Sequence, residues 1–288
     1  MPAIKKQNPA MTKKSAATNR EAKGILEQIE PVHLSTNGIS MVLYGKSGTG
    51  KTVLASTFPK PALLIGADED GTRSVTDVKD LFYVRISKSE ELITLVEYTR
   101  TTLNYSTVIV DTTSQFYNLV LREILNVEKL PEQKAWGMVT QAQYQQCSLQ
   151  VKEKLRTTLD LVRYGVNVVL LAQERNFNEE QTSDIMLPSV GPALGPAVVG
   201  WMNPACDYVC QTFLKQKTMT KTGPMKGKDG KPLVTRVVVP GADFCLRTLP
   251  DAVYMSKFRA PKGTKVPEYL VDPTYTKILS LIEGGHAS

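Results

Sequence analysis

Gly45, Gly50, Lys51 and Thr52 form the most informative spacing in the chain, written in full as Gly45-Lys46-Ser47-Gly48-Thr49-Gly50-Lys51-Thr52. Glycines at these positions let successive backbone N–H groups turn inward on an anion, at the start of a helix whose dipole favours negative charge. The segment therefore reads as a phosphate cradle lined by Gly45, Ser47, Gly48, Thr49 and Gly50. Lys51 is placed to bridge the β- and γ-phosphates and the Thr52 hydroxyl to hold Mg2+, so ATP with Mg2+ is the expected ligand.

Chemistry on a phosphate also needs a metal carboxylate, a group that activates water and a cation for the transition state. Asp111 ends the apolar run Val108-Ile109-Val110 and is the expected second metal contact, although an Asp here also suits the cap of the following helix. Glu69, within Asp68-Glu69-Asp70-Gly71, is the expected activator of the attacking water; a solvated acidic turn is the alternative. Gln173 closes another apolar run and either senses the γ-phosphate or is a plain polar strand end. Lys257 and Arg259, followed by Pro261 and Gly263, suit fingers that act in a neighbour's site, with general surface charge as the alternative.

The formal net charge of +7 is unevenly placed, with +5 on residues 1–24 and +6 on residues 215–236, which leaves −4 for the rest. Dense Lys and Arg on two appendages is the footprint of polyanion binding, because local cation density sets counterion release. Lys221, Lys226, Lys228 and Lys231 are the candidate nucleic-acid contacts; solvated, solubilising segments are the alternative. Four cysteines without a CxxC pair, and only His33 and His286, offer little to a zinc site or to histidine-based nucleophilic catalysis. Buried reduced thiols are the expectation instead. With no apolar run of bilayer length, and no apolar segment behind the early lysines, the chain is expected to meet no membrane and to be cytoplasmic.

Positioning these residues requires strands and helices in alternation. Residues 39–44 are a β-rich run leading straight into the glycine loop, and a helix follows from Val53 until Pro59 and Pro61 stop it. Buried parallel strands are expected over 62–66, 107–110 and 167–172, each ending in polar or acidic residues, with helices over 89–103, 115–127 and 141–163. This pattern predicts an α/β fold, a mainly parallel β-sheet flanked by helices, with its ligand at the carboxyl ends of the strands. After Arg175 a Pro- and Gly-rich stretch precedes strands near 207–215 and 233–239, joined by the basic segment as a C-terminal antiparallel β-hairpin extension. A strand-like piece at 253–258 and a helix over 274–282 close the chain. Residues 1–30 lack periodicity and are expected as a disordered basic arm, with 31–288 as one domain carrying the hairpin at about 207–239.

Together the glycine loop, Asp68-Glu69-Asp70-Gly71, Val110-Asp111, Ala172-Gln173-Glu174-Arg175 and Tyr254-Met255-Ser256-Lys257-Phe258-Arg259 resemble a known group. They are similar, over residues 38–282, to phage-encoded RecA-like ATPases of the P-loop AAA type, in the single-strand-annealing recombinase family. The resemblance implies a RecA-like P-loop NTPase core, ATP with Mg2+, a catalytic glutamate at Glu69, DNA-contacting loops behind Gln173, and fingers at Lys257 and Arg259. It further implies a homo-oligomer, ring or filament, whose ATP hydrolysis is stimulated by single-stranded DNA during recombination or annealing in a host cytoplasm. A single-strand-binding protein is a candidate partner. This chain has Glu69-Asp70-Gly71 where relatives more often carry Glu-Gly-Gly. Two other readings compete: a nucleotide-switched annealing or helicase-loading protein with little turnover, and a small-molecule or nucleotide kinase. The kinase reading lacks an arginine-rich helical lid and leaves the basic hairpin unexplained.

Overall fold

The computed structural model describes residues 38–67, 71–130, 139–177, 190–226 and 232–285. The expected basic arm, Glu69 with its acidic neighbours, and hairpin residues 227–231 lie outside the described residues. The strands are β1 (Ser40–Gly45), β2 (Ala62–Ala67), β3 (Leu81–Ile86), β4 (Thr107–Asp111), β5 (Asn167–Asn176), β6 (Val190–Pro192), β7 (Tyr208–Lys226), β8 (Pro232–Arg247) and β9 (Tyr269–Val271). The helices are α1 (Lys51–Ala55), α2 (Ser89–Thr102), α3 (Thr113–Leu125), α4 (Gln141–Leu159), α5 (Pro196–Ala205) and α6 (Tyr275–Ile282).

One sheet runs in the order β3-β2-β4-β5-β1-β7-β8-β9, parallel from β3 to β7 and antiparallel beyond, with β6 paired to the end of β5. The mainly parallel α/β architecture with antiparallel C-terminal strands is thus as the alternation predicts. Every residue of β1 and β2 is buried, as apolar runs covered on both faces should be. Alternate residues divide between two cores. Val42, Tyr44, Val108, Val110, Val168 and Leu170 face α2 to α5, whereas Met41, Leu43, Ile109, Val169 and Leu171 face α1, α6 and Phe58.

Several elements depart from the sequence reading. The helix after the loop begins at Lys51 rather than Val53 and is only five residues long. Strand β3 is absent from that reading because it is an edge strand whose Phe82 and Tyr83 stay exposed, so it lacks the signature of a buried run. Helix α5 forms inside the Pro- and Gly-rich stretch because Pro196 occupies its first turn, where no N–H is needed; Pro204 stands inside it, one residue before the end. Residues 253–258 make only isolated bridges, through Tyr254 and Lys257.

The hairpin is longer than expected. Its first arm, β7, enters the sheet beside β1, with Tyr208 to Gln211 in register with Met41 to Tyr44. It then runs on past the end of β1, paired with β8 as far as Lys226 and Pro232. At ~3.3 Å per residue the arm extends roughly 45 Å beyond the sheet. It leaves at the same end as the glycine loop. Among the described residues no helix is long and apolar enough to cross a membrane.

Candidate nucleotide site

Gly45 ends β1 and Lys51 opens α1, so Lys46 to Gly50 form a loop at the carboxyl end of the sheet. Gly48 and Gly50 hold φ of +77° and +83°, the left-handed region where glycine is at home, and nothing lies within 4 Å of where a Gly48 Cβ would be. Gly45 is needed for a different reason. A Cβ there would sit 2.3 Å from the Thr212 carbonyl, so only glycine lets β7 pass this close.

The Lys51 side chain is buried, and its ammonium donates to the Gly45 and Lys46 carbonyls at 2.8 Å each. Burial lowers its pKa from the ordinary lysine value, with the Asp111 and Glu174 carboxylates pulling the other way. The Thr52 hydroxyl donates to Asp111 Oδ2 at 2.8 Å. Burial raises the Asp111 carboxyl, offset in part by that hydrogen bond and by Lys51. As a helix cap Asp111 is displaced by Thr112, whose hydroxyl accepts from the Gln115 N–H.

These groups share a cleft of about 400 Å3, walled also by Ser47, Val53, Gly71, Ser74, Gln173 and Phe244. A glycine turn with two residues in the left-handed region, a buried ammonium held by two backbone carbonyls, and a hydroxyl–carboxylate pair suit a magnesium nucleotide. Lys51 and the loop amides would hold phosphates; Thr52 and Asp111 would hold the metal.

Gln173 sits on β5, between the loop strand β1 and the Asp111 strand β4. Its N–H donates to Ser114 Oγ at 3.0 Å and its carbonyl accepts from the Ala193 N–H at 2.7 Å. It borders both the nucleotide cleft and a larger cavity of about 920 Å3 lined by Tyr117, Tyr144, Leu149 and Arg175. Glu69 lies outside the described residues, but the residues described on either side of it approach Asp111. Gly66 of β2 is in register with Asp111, and a Cβ on Gly71 would be 2.9 Å from Asp111 Oδ2.

Lys257 and Arg259 are not brought to this cleft within the chain. The Lys257 ammonium donates to the carbonyls of Asn203, Pro204 and Cys206, closing the C-terminal end of α5. Arg259 donates to Asp207 Oδ1 at 2.6 Å, and Asp207 Oδ2 accepts from Ser40, the first residue of β1. That end of β1 is opposite the glycine loop, about 17 Å away along the strand. Of the hairpin lysines, Lys221 and Lys226 belong to β7, whereas Lys228 and Lys231 lie outside the described residues. Nearer the sheet, Lys215 packs over the Tyr269 ring and Lys217 pairs with Asp243 at 3.6 Å.

Two residues that sequence spacing could not supply complete the site. The Thr49 and Thr212 hydroxyls share a hydrogen bond of 2.7 Å, and Phe244 of β8 lies over Gly50. Both reach the loop from strands more than 150 residues downstream, and no local pattern announces them. A chain of side chains continues from them. Gln211 donates to Glu174 at 2.7 Å and accepts from Arg247, which pairs with Asp251 at 2.7 Å and stacks against Phe213 and Tyr254. The four cysteines are free and buried, and burial pushes the Cys147, Cys206 and Cys210 thiols up to about 12.

Comparison with protein families matches residues 37–237 to the family described as AAA domain. Comparison with curated proteins finds no match.

Proposed function

The chain belongs to the AAA domain family and carries a P-loop nucleotide-binding ATPase core; from that premise we propose that it is a recombination ATPase of phage type. In this reading it binds single-stranded DNA as an oligomer and uses ATP with Mg2+ to control that binding. The carrying observation is the path of β7. One strand touches the phosphate loop through Thr212 and then continues into the basic hairpin. A change in the loop is therefore applied directly to the base of the arm that bears Lys221, Lys226, Lys228 and Lys231.

Lys51 and the loop amides hold the phosphates, Thr52 and Asp111 the metal, and Glu69 orients the attacking water. Gln173, shared by two cavities, relays phosphate occupancy toward the segment that follows β5. Lys257 and Arg259, a strand's length from their own loop, act on a neighbour's nucleotide. Fluorescence anisotropy with labelled single- and double-stranded oligonucleotides tests the coupling. Affinity for the single strand should differ between ATP-bound and ADP-bound protein, and exceed that for the duplex. Nucleotide-independent affinity would rule out the switch.

A further inference from the structure

The cleft has one wall that phosphates and metal do not need. Phe244 is 45% exposed, yet it borders the same space as Lys51 and Asp111. Its ring rests on the bare Cα of Gly50, where a Cβ would lie 3.0 Å from Cδ1 and 3.5 Å from Cε1. The residue is not on a loose loop. It is paired with Leu214 of β7, and its carbonyl accepts from the Asp272 N–H at 2.7 Å. The ring is thus held in place beside the glycine turn by strands on both sides.

The remaining described walls are glycine backbone, hydroxyls, the Lys51 and Asp111 charges and the Gln173 amide, with Val53 as the other apolar side chain, 48% exposed. Phosphates and Mg2+ take the polar groups. What is left of a nucleotide is a polar ribose and a flat, uncharged base, and a phenyl face is the surface that pairs with the base, since stacking removes both from water. We infer that Phe244 is the stacking platform for the base of the bound nucleotide, an inference that rests on the nucleotide reading of this cleft.

Isothermal titration of the full chain with Mg2+-ATP and with Mg2+-tripolyphosphate separates base from phosphates. Phe244→Ala should weaken ATP roughly ten- to hundredfold while leaving tripolyphosphate within about twofold, because stacking acts on the base alone. Phe244→Tyr should restore ATP. In Phe244→Trp, the emission added to that of Trp136 and Trp201 should be quenched by ATP and not by tripolyphosphate; this arm decides the matter even if the alanine variant fails to fold. An unchanged ATP affinity, an equal loss for both ligands, or an indole insensitive to ATP overturns the platform. A wild-type chain that binds neither ligand overturns the nucleotide site itself.

Discussion

Lys51→Met is the substitution whose two effects the structure separates most clearly. The methionine keeps most of the side chain's length and removes the charge. Lys51 is 7% exposed and its ammonium is held by two carbonyls at 2.8 Å. Losing two charge-assisted hydrogen bonds costs about 1.5–3 kcal/mol each, and relief from burying an ammonium returns several kcal/mol. One of the two carbonyls, that of Lys46, keeps the Thr49 hydroxyl as a donor at 2.8 Å. The terms nearly cancel, so the free protein should change in stability by no more than about 1 kcal/mol. The sign agrees with the lowered pKa: the charged form opposes folding at any pH below the ordinary lysine value, and that penalty disappears with the charge. Nucleotide binding behaves differently. Wild type at a hundredfold excess over Kd gains about 2.7 kcal/mol, or roughly 5–10 °C in Tm, and the variant should gain almost nothing. Hydrolysis should fall by at least about a hundredfold. Differential scanning fluorimetry with and without Mg2+-ATP reads the stability of the free chain and its gain on binding. A free variant destabilised by about 3 kcal/mol or more would make Lys51 a structural staple, and retained ligand stabilisation would refute its phosphate role.

Asp111→Asn keeps an acceptor for the Thr52 hydroxyl but not the charge, so folding should persist while magnesium titrations of nucleotide binding shift at least about tenfold to higher concentration. Because burial raises the Asp111 carboxyl, wild-type Mg2+-nucleotide affinity should fall on acidification at a pH above the usual carboxylate range; an affinity flat down to the ordinary range would contradict this. Lys257→Met leaves three carbonyls without their donor and should lower stability by about 1–3 kcal/mol in urea unfolding. Arg259→Ala removes only a largely exposed ion pair with Asp207 and should barely alter stability; mixed with Lys51→Met it should recover activity if the finger works in trans. Neutralising Lys221, Lys226, Lys228 and Lys231 should reduce the slope of log K against log salt by ~0.7 for each single-strand phosphate no longer neutralised. An unchanged slope would leave those lysines as solvated charge.

The part of the site legible in the sequence is the part carried on continuous segments. The glycine loop needs its residues adjacent, and β4 is uniform enough to place Asp111 at a strand tip, where the fold puts it; Gln173 ends the apolar run but not its strand, because β5 continues to Asn176 by pairing with β6. Thr212 and Phe244 are not legible, because each is defined by which strands become neighbours rather than by any run of residues. The order of the sheet, with β7 beside β1, is what delivers them. Lys257 shows the converse. A basic residue near a turn looks available for a remote phosphate, but three backbone carbonyls at the end of α5 already hold its ammonium. Helix α5 is hidden by its prolines, which composition marks as loop: Pro196 suits the first turn, and Pro204, inside the helix, gives up one backbone hydrogen bond only one residue before its end.

In the proposed cycle one polypeptide couples nucleotide turnover to a single strand of DNA. The decisive experiment is steady-state ATP hydrolysis by the full chain alone, with single-stranded DNA and with duplex DNA. Turnover should rise with the single strand, rise less with the duplex, and vanish in Lys51→Met. Turnover that is the same in all three conditions, or a protein that binds ATP and scarcely hydrolyses it even with DNA present, would contradict the coupled ATPase and leave a nucleotide-switched annealing or loading protein in its place.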